Sequence, residues 1–195
     1  MKRVSSYLLD HIILGGHVIM AFNFPNLDEK TRQSMLDELN YDIQHDSVYI
    51  SSRLNTHGEA NYILFLKQAI SNGNETSLCN TLAHNCLNST ENRKKSSGGY
   101  TIAKVPSNAN EVLAEGEFNR YYIRALCLQA ISESRQLKIY RAKSVRTPRI
   151  ESQQQIGQFV LDPNKLLQDL RTHMGVDPAL HLPPGPNSGL SVQLI

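Results

Sequence analysis

Apolar residues between positions 106 and 134 recur every three or four residues, the spacing that gathers side chains on one side of an α-helix. Ile123, Cys127 and Ile131 add a second apolar stripe, so this helix is expected to contact neighbouring elements on more than one side. The pattern therefore predicts a central helix. Its first stripe consists of Val112, Leu113, Phe118, Tyr121, Tyr122, Ala125, Leu126 and Ala130.

Shorter patterns on either side of this helix predict further helices and a few short strands. Helical spacing covers residues 4–14, 29–43, 59–71, 77–87 and 163–174. Strand-like alternation covers residues 47–54, 100–105, 137–142 and 158–161, whereas 17–24 fits either a strand or a helical continuation. The predicted fold is one α+β domain over residues 1–175, mainly helical, with a small sheet near the central helix.

The last twenty residues, 176–195, are rich in proline and glycine, which predicts an extended arm instead of a helix. We expect a neighbouring chain to hold this arm, and its removal to leave the stability of the fold nearly unchanged. The alternating apolar residues near its end would add a strand to a partner's sheet. The predicted contact residues of the arm are Leu180, Leu182, Leu190, Val192 and Leu194.

Residues 88–99 are polar and are predicted to form a surface loop or linker. They include the basic run Arg93-Lys94-Lys95, for which solvation is the expected state and phosphate contact the alternative.

Charge is distributed unevenly along the chain. Residues 1–60 hold five Lys/Arg and eight Asp/Glu, giving −3, whereas residues 135–149 hold six Lys/Arg and no acid, giving +6. This asymmetry suits a nucleic-acid patch or head-to-tail contact between copies of the chain. The candidate contact residues for another subunit or for phosphate are Glu117, Arg120, Arg124, Arg141, Lys143, Arg146 and Arg149.

Glu117, Arg120 and Arg124 share one face of the central helix because they stand at positions i, i+3 and i+7. Three interpretations are open: an ion pair within the helix, a buried arginine cluster that grips a phosphate or a partner's carboxylate, or a catalytic Glu117. Gly116 beside them is unfavourable within a helix, so it marks either a break or a close approach by another backbone.

Two nucleic-acid interpretations can be assembled from these residues. A metal-dependent nuclease would recruit Glu117, Glu151 and Lys143, although the 137–143 strand lacks the acid that usually precedes such a lysine. A binding protein would use the arginines for phosphate and interleaved tyrosines for stacking. The favoured alternative is that the arginines pair with the acidic N-terminal half, either within the chain or between copies of it. The interleaved tyrosines are Tyr121, Tyr122 and Tyr140.

Catalytic, metal and targeting motifs are missing from the sequence. No phosphate-binding loop, nucleophile elbow or paired-histidine spacing occurs, so no cofactor and no metal is predicted. Three cysteines, Cys79, Cys86 and Cys127, are an odd number and favour buried thiols in a reducing compartment. No apolar stretch is long enough for a membrane span, and Asp10 and His11 interrupt the one segment that resembles a signal peptide.

The blocks AEGEFNRYYIRALC, IYRAK, PRIES and GPNSGLS resemble a set found in small proteins of bacterial and of phage or prophage genomes, over roughly residues 47–195. The resemblance implies no particular fold or catalytic residue. It does imply a virion component, such as a connector, cement or tail-joining protein, located in the virion or the host cytoplasm. The leading hypothesis is therefore a non-enzymatic structural protein that contacts copies of itself and other assembly proteins. The alternative is a nucleic-acid-binding protein or metal-dependent nuclease of phage or host-defence type.

Overall fold

The computed structural model describes residues 13–14, 17–18, 21–184 and 188–195. Seven helices occur in these residues: α1 (Glu29–Gln44), α2 (Thr56–Asn72), α3 (Glu75–Ala83), α4 (Ala109–Glu133), α5 (Ile150–Gln155), α6 (Pro163–Thr172) and α7 (Val176–Ala179). Six strands accompany them: β1 (Ile13–Leu14), β2 (His17–Val18), β3 (Thr90–Lys94), β4 (Tyr100–Lys104), β5 (Leu137–Arg141) and β6 (Leu190–Leu194). The strands form three antiparallel pairs, β1–β2, β3–β4 and β5–β6. The predicted mainly helical α+β fold is confirmed.

The predicted central helix is α4, and it is buried around most of its circumference. Seventeen of its 25 residues are buried, and α1, α3, α6 and β6 all pack against it. Two stripe residues, Val112 and Ile131, are more than one-third exposed, which marks the sides where no neighbour covers the helix. The prediction of contacts on more than one side is thus confirmed for most of the helix. None of the described helices is long and apolar enough to cross a membrane.

Polar side chains begin the helices at the positions that elementary capping chemistry favours. Asp28 and Asp162 each accept a hydrogen bond from the backbone N–H three residues later, at 2.8 and 3.0 Å. Asn55 caps α2, which therefore begins three residues before the predicted start. Asn74 and Ser77 form a reciprocal capping box for α3. This helix ends at Ala83 instead of residue 87, so Cys86 lies beyond it.

Some predicted elements differ from the structure. The alternating residues 47–54 form no strand, and their one bridge joins Leu54 to Leu87. Residues 158–161 likewise form only one bridge, between Phe159 and Lys138. At the N-terminus, residues 13–14 form a strand, whereas the rest of the helix predicted for 4–14 lies outside the described residues. The segments 47–54 and 158–161 each pair with a neighbour over a single residue pair. Alternation of side chains reports burial of one face, which a packed loop also provides.

The C-terminal segment packs against its own chain. Strand β6 pairs with β5 from Leu137↔Leu194 to Arg141↔Leu190, and it also contacts α4. The predicted arm contacts with other subunits are corrected here, because all five side chains are buried within the chain itself: Leu180, Leu182, Leu190, Val192 and Leu194. The segment also contains the helix α7, which the proline content had argued against. The alternation was identified correctly, but the strand that receives it lies some fifty residues earlier in the sequence.

Candidate functional site

A buried ion-pair cluster joins α1, α4 and α6. The Arg124 guanidinium is fully buried and donates to both carboxylate oxygens of Asp42, from Nη1 to Oδ2 at 2.6 Å and from Nη2 to Oδ1 at 2.9 Å. Its Nε donates to Glu38 Oε2 at 2.8 Å. Arg120 adds a bond to Asp42 Oδ2 at 3.0 Å, and Arg171 a bond to Glu38 Oε1 at 2.5 Å. The favoured expectation that the basic residues pair with the acidic N-terminal half is confirmed for Arg120 and Arg124.

The charge states within this cluster follow from the pairing. Burial alone would raise the pKa of Asp42, but the hydrogen bond and charge of Arg124, with help from Tyr121 and Arg120, lower that pKa below its usual value. The pKa of Arg124 is raised by Asp42 and Glu38 despite the opposing effect of burial. Both residues are therefore charged at neutral pH. Arg124 already binds two carboxylates, so it does not grip a phosphate as one interpretation required.

Glu117 differs from Asp42 and Glu38, the other acids of the cluster, because only one described cation contacts its carboxylate. Among the described residues its one polar contact joins Oε2 to Arg120 Nη1 at 3.2 Å, and Oε1 accepts no hydrogen bond from any of them. Burial raises the pKa of Glu117, Arg120 opposes that rise, and the negative charge of Asp42 adds to it. Tyr62 Oη is buried, has no hydrogen-bond partner among the described residues, and interacts electrostatically with Glu117.

Glu117 lines an open cleft of about 270 Å³ between α4 and the α6–α7 connection. We call it the Glu117 cleft; its other lining residues include Tyr49, Val112, Met174 and Pro178. Gly116 leaves the space open, because a Cβ at this position would meet no atom within 4 Å. The helix continues unbroken through Gly116, so the expected break or close backbone approach is wrong. A smaller adjoining cavity of about 100 Å³ extends the cleft toward Arg53.

Three predicted contact residues in the basic segment bind their own chain instead of remaining free. Arg141 donates to the backbone oxygen of Ser188 at 2.5 Å, and Lys143 bonds Glu111 at 2.7 Å as well as Glu115. Arg149 bonds Asp177, which in turn accepts from Ser188. Arg149 also donates to the backbone oxygen of Pro183, so Arg141 and Arg149 together hold Ser188 and Pro183. Arg146 is exposed and has no ion pair with a described residue, so it alone of this segment's four candidates stays available.

The residues of the nuclease hypothesis are not brought together. Lys143 contacts Glu111 and Glu115, whereas Glu117 faces its own cleft and Glu151 is exposed on α5. Within the described residues, no group of three or more potential ligands is placed to hold a metal ion. The three cysteines are free and buried, as predicted, and burial raises the pKa of the Cys79 thiol to about 11.

The predicted loop 88–99 contains one strand of a β-hairpin, which the sequence analysis missed. Strands β3 and β4 pair from Thr90↔Lys104 to Lys94↔Tyr100. Glu91 and Ala103 are half-buried on the face toward the body, where Glu91 bonds Arg53 at 2.6 Å. On the opposite face Tyr100 and Ile102 are 70% and 76% exposed. No core-facing alternation was visible in β3 because nearly all of its side chains face solvent.

Comparison with protein-family models, curated proteins and solved structures gives no match for this chain. The resemblance to phage and prophage proteins therefore stays a prediction.

Proposed function

We propose that the protein is a non-enzymatic structural component of a multi-subunit assembly. The observation that carries the proposal is the β3–β4 hairpin. It contributes no fully buried side chain, yet it presents a tyrosine and an isoleucine to solvent next to Lys94. A two-stranded hairpin is marginally stable in isolation, and exposed apolar side chains on such an element are typical of a surface that a partner covers.

A second exposed apolar surface supports the same function. Leu161 is 99% exposed and Phe159 is partly exposed, and both line a groove of about 340 Å³ beside α6. Two separate apolar surfaces on one chain suit a subunit that contacts more than one neighbour. The finer setting that we propose is a phage virion, in a connector, cement or tail-joining role, and this part depends on the sequence resemblance. The subunit contacts are assigned to the hairpin instead of the C-terminal leucines.

The proposal is tested by the double variant Tyr100→Ser/Ile102→Thr. Both side chains are exposed, so the free energy of unfolding is expected to change by about 0.5 kcal/mol or less. Sedimentation velocity over a concentration series should show oligomers of the wild-type chain and a shift to monomer for the variant. Leu64→Ser, which removes an exposed apolar residue from α2, is the matched control. A wild-type chain that stays monomeric at every concentration, or a variant that associates equally well, would contradict the proposal.

Nucleic-acid binding is a second candidate, favoured by one specific observation. Lys94, Lys95 and Arg146 are exposed cations without an ion pair to any described residue, and Tyr100 stands opposite Lys94 in the hairpin. Cations of this kind contact phosphate, and an exposed tyrosine can stack on a base. Titration with single- and double-stranded DNA at several salt concentrations tests this function. Lys94→Ala should lower the salt dependence by about one unit of slope, and an unchanged slope would exclude this contact.

A further inference from the structure

We infer that the Glu117 cleft of one copy receives a lysine side chain from the hairpin tip, Lys94 or Lys95, of a second copy. This inference rests on the proposed assembly function and names the two surfaces that meet. It also gives a partner to Glu117 Oε1, which accepts no hydrogen bond from the described residues, because that partner comes from the neighbouring subunit.

The cleft offers an acceptor that is already largely removed from water. Glu117 is about 95% buried, its Oε1 has no hydrogen-bond donor among the described residues, and its carboxylate lines the cleft. Most of the cost of removing this carboxylate from water is therefore incurred in the free subunit. A cation that binds at Oε1 is attracted by the negative charge of the carboxylate. The main remaining cost is the loss of the cation's own hydration. A buried carboxylate without a donor at one oxygen binds a cation more favourably than an anion.

The cleft has room for an inserted side chain, since its volume is about 270 Å³. The walls include Val112 and Met174, both partly exposed apolar side chains. Lysine suits such a site because its four methylene groups pack along apolar walls while the ammonium reaches the polar end.

The hairpin tip supplies lysines of the required kind. Lys94 and Lys95 are exposed and form no ion pair with a described residue, whereas Arg93 is bound to Glu91 at 2.6 Å. Each strand has five residues, so the tip stands on the order of 15 Å from the hairpin base. Because the tip lysines are exposed, they do not occupy the cleft of their own chain.

The donor and acceptor surfaces are different parts of the chain, and this difference fixes the type of assembly. A contact between two unlike surfaces is head-to-tail, and it is repeated by every added copy. Such contacts produce a closed ring where the rotation closes and a filament where it does not. The inference therefore predicts rings or open chains of subunits instead of a two-fold dimer.

The experiment compares Glu117→Gln, Lys94→Ala/Lys95→Ala and the combination of all three substitutions. Sedimentation equilibrium gives the association constant of each protein at pH 8, with Glu59→Gln and Lys67→Ala as matched controls on the exposed surface of α2. We expect about a tenfold or greater loss for Glu117→Gln and for the double lysine variant. The combined variant should lose no more than the stronger of the two, because both remove the same contact. Circular dichroism melting shows that each variant remains folded.

The possible results separate the inference from the function on which it rests. If the wild-type chain associates and Glu117→Gln leaves its association constant unchanged, the inference is overturned while the assembly function stands. If the lysine variant loses DNA binding but not self-association, the inference also fails and nucleic-acid binding gains support. If the wild-type chain does not associate at all, both the proposed assembly and this contact are overturned.

Discussion

Arg124 is a buried arginine that binds carboxylates of its own chain instead of a phosphate. A buried arginine on a central helix is compatible with phosphate binding, but here Asp42 presents both oxygens and Glu38 a third. The sequence placed Glu117, Arg120 and Arg124 on one helix face, and that prediction is confirmed by the ion pairs. The acidic partners stand 78 to 86 residues earlier. No local pattern identifies a partner at that separation, so the three interpretations stayed open until the packing of α1 on α4 was known.

The ion pairs of Asp42 predict a large loss of stability on neutralisation. Asp42→Asn leaves Arg120 and Arg124 buried with one carboxylate fewer, which is expected to cost about 3–5 kcal/mol. Urea unfolding at pH 7 measures this cost. Asp37→Asn, on the exposed side of the same helix, should change the free energy of unfolding by about 0.5 kcal/mol or less. Equal effects of the two substitutions would show that the buried pairs contribute nothing.

The raised pKa of Glu117 predicts that its contribution to the free energy of unfolding changes with pH in the opposite direction to that of Asp42. A carboxyl whose pKa is raised on folding stabilises the fold below its unfolded pKa, and this contribution is lost as the pH rises through the folded value. Glu117→Gln removes this loss, so the variant should gain stability relative to the wild-type chain as the pH rises from 4 to 9. Chemical unfolding of both monomeric proteins across this range is the measurement. A difference that stays constant, or that falls with pH, would contradict the account.

At the scale of elements, the sequence predicts whether a segment is a helix or a strand better than it predicts which strands pair. The strands at 100–104 and 137–141 and the helices α1, α4 and α6 were predicted from alternation, spacing and caps. Two errors have one physical origin. In β3 both faces are largely solvated, so no apolar alternation marks the strand. In β6 the alternation was visible, but the chain's own β5 was not recognised as the edge that receives it.

The pairing of β6 with β5 predicts that the C-terminal strand stabilises the fold. Leu190 is fully buried, so Leu190→Ala is expected to lower the free energy of unfolding by about 2–5 kcal/mol. Leu161→Ala removes a fully exposed side chain and should have almost no effect. Urea unfolding of both variants tests this against the earlier expectation that the segment is dispensable. Two variants with wild-type stability would place the strand outside the core.

At the scale of the whole molecule, the charge asymmetry of the sequence is largely neutralised on folding. Acidic α1 lies against the arginines of α4 and α6. In the basic segment, Arg141 and Arg149 bond the C-terminal residues Ser188 and Asp177, and Lys143 bonds Glu115 of α4. The cations that remain unpaired among the described residues include the hairpin tip and Arg146. Glu117 is a buried carboxylate whose one ion pair within the described residues is with Arg120. We propose that two different surfaces, the hairpin tip and the Glu117 cleft, meet in a head-to-tail contact.

Disulfide capture between two different single-cysteine variants tests most directly the proposed contact between the hairpin tip of one copy and the Glu117 cleft of another. Lys95→Cys places a thiol at the hairpin tip and Val112→Cys places one at the wall of the Glu117 cleft, whereas burial makes the native thiols poorly reactive. An equimolar mixture under mild oxidation is expected to give a cross-linked dimer that contains one chain of each variant, at a yield well above that of either variant alone. A mixture of Lys67→Cys with Val112→Cys is the control. A tip–cleft yield no higher than this control would contradict the account.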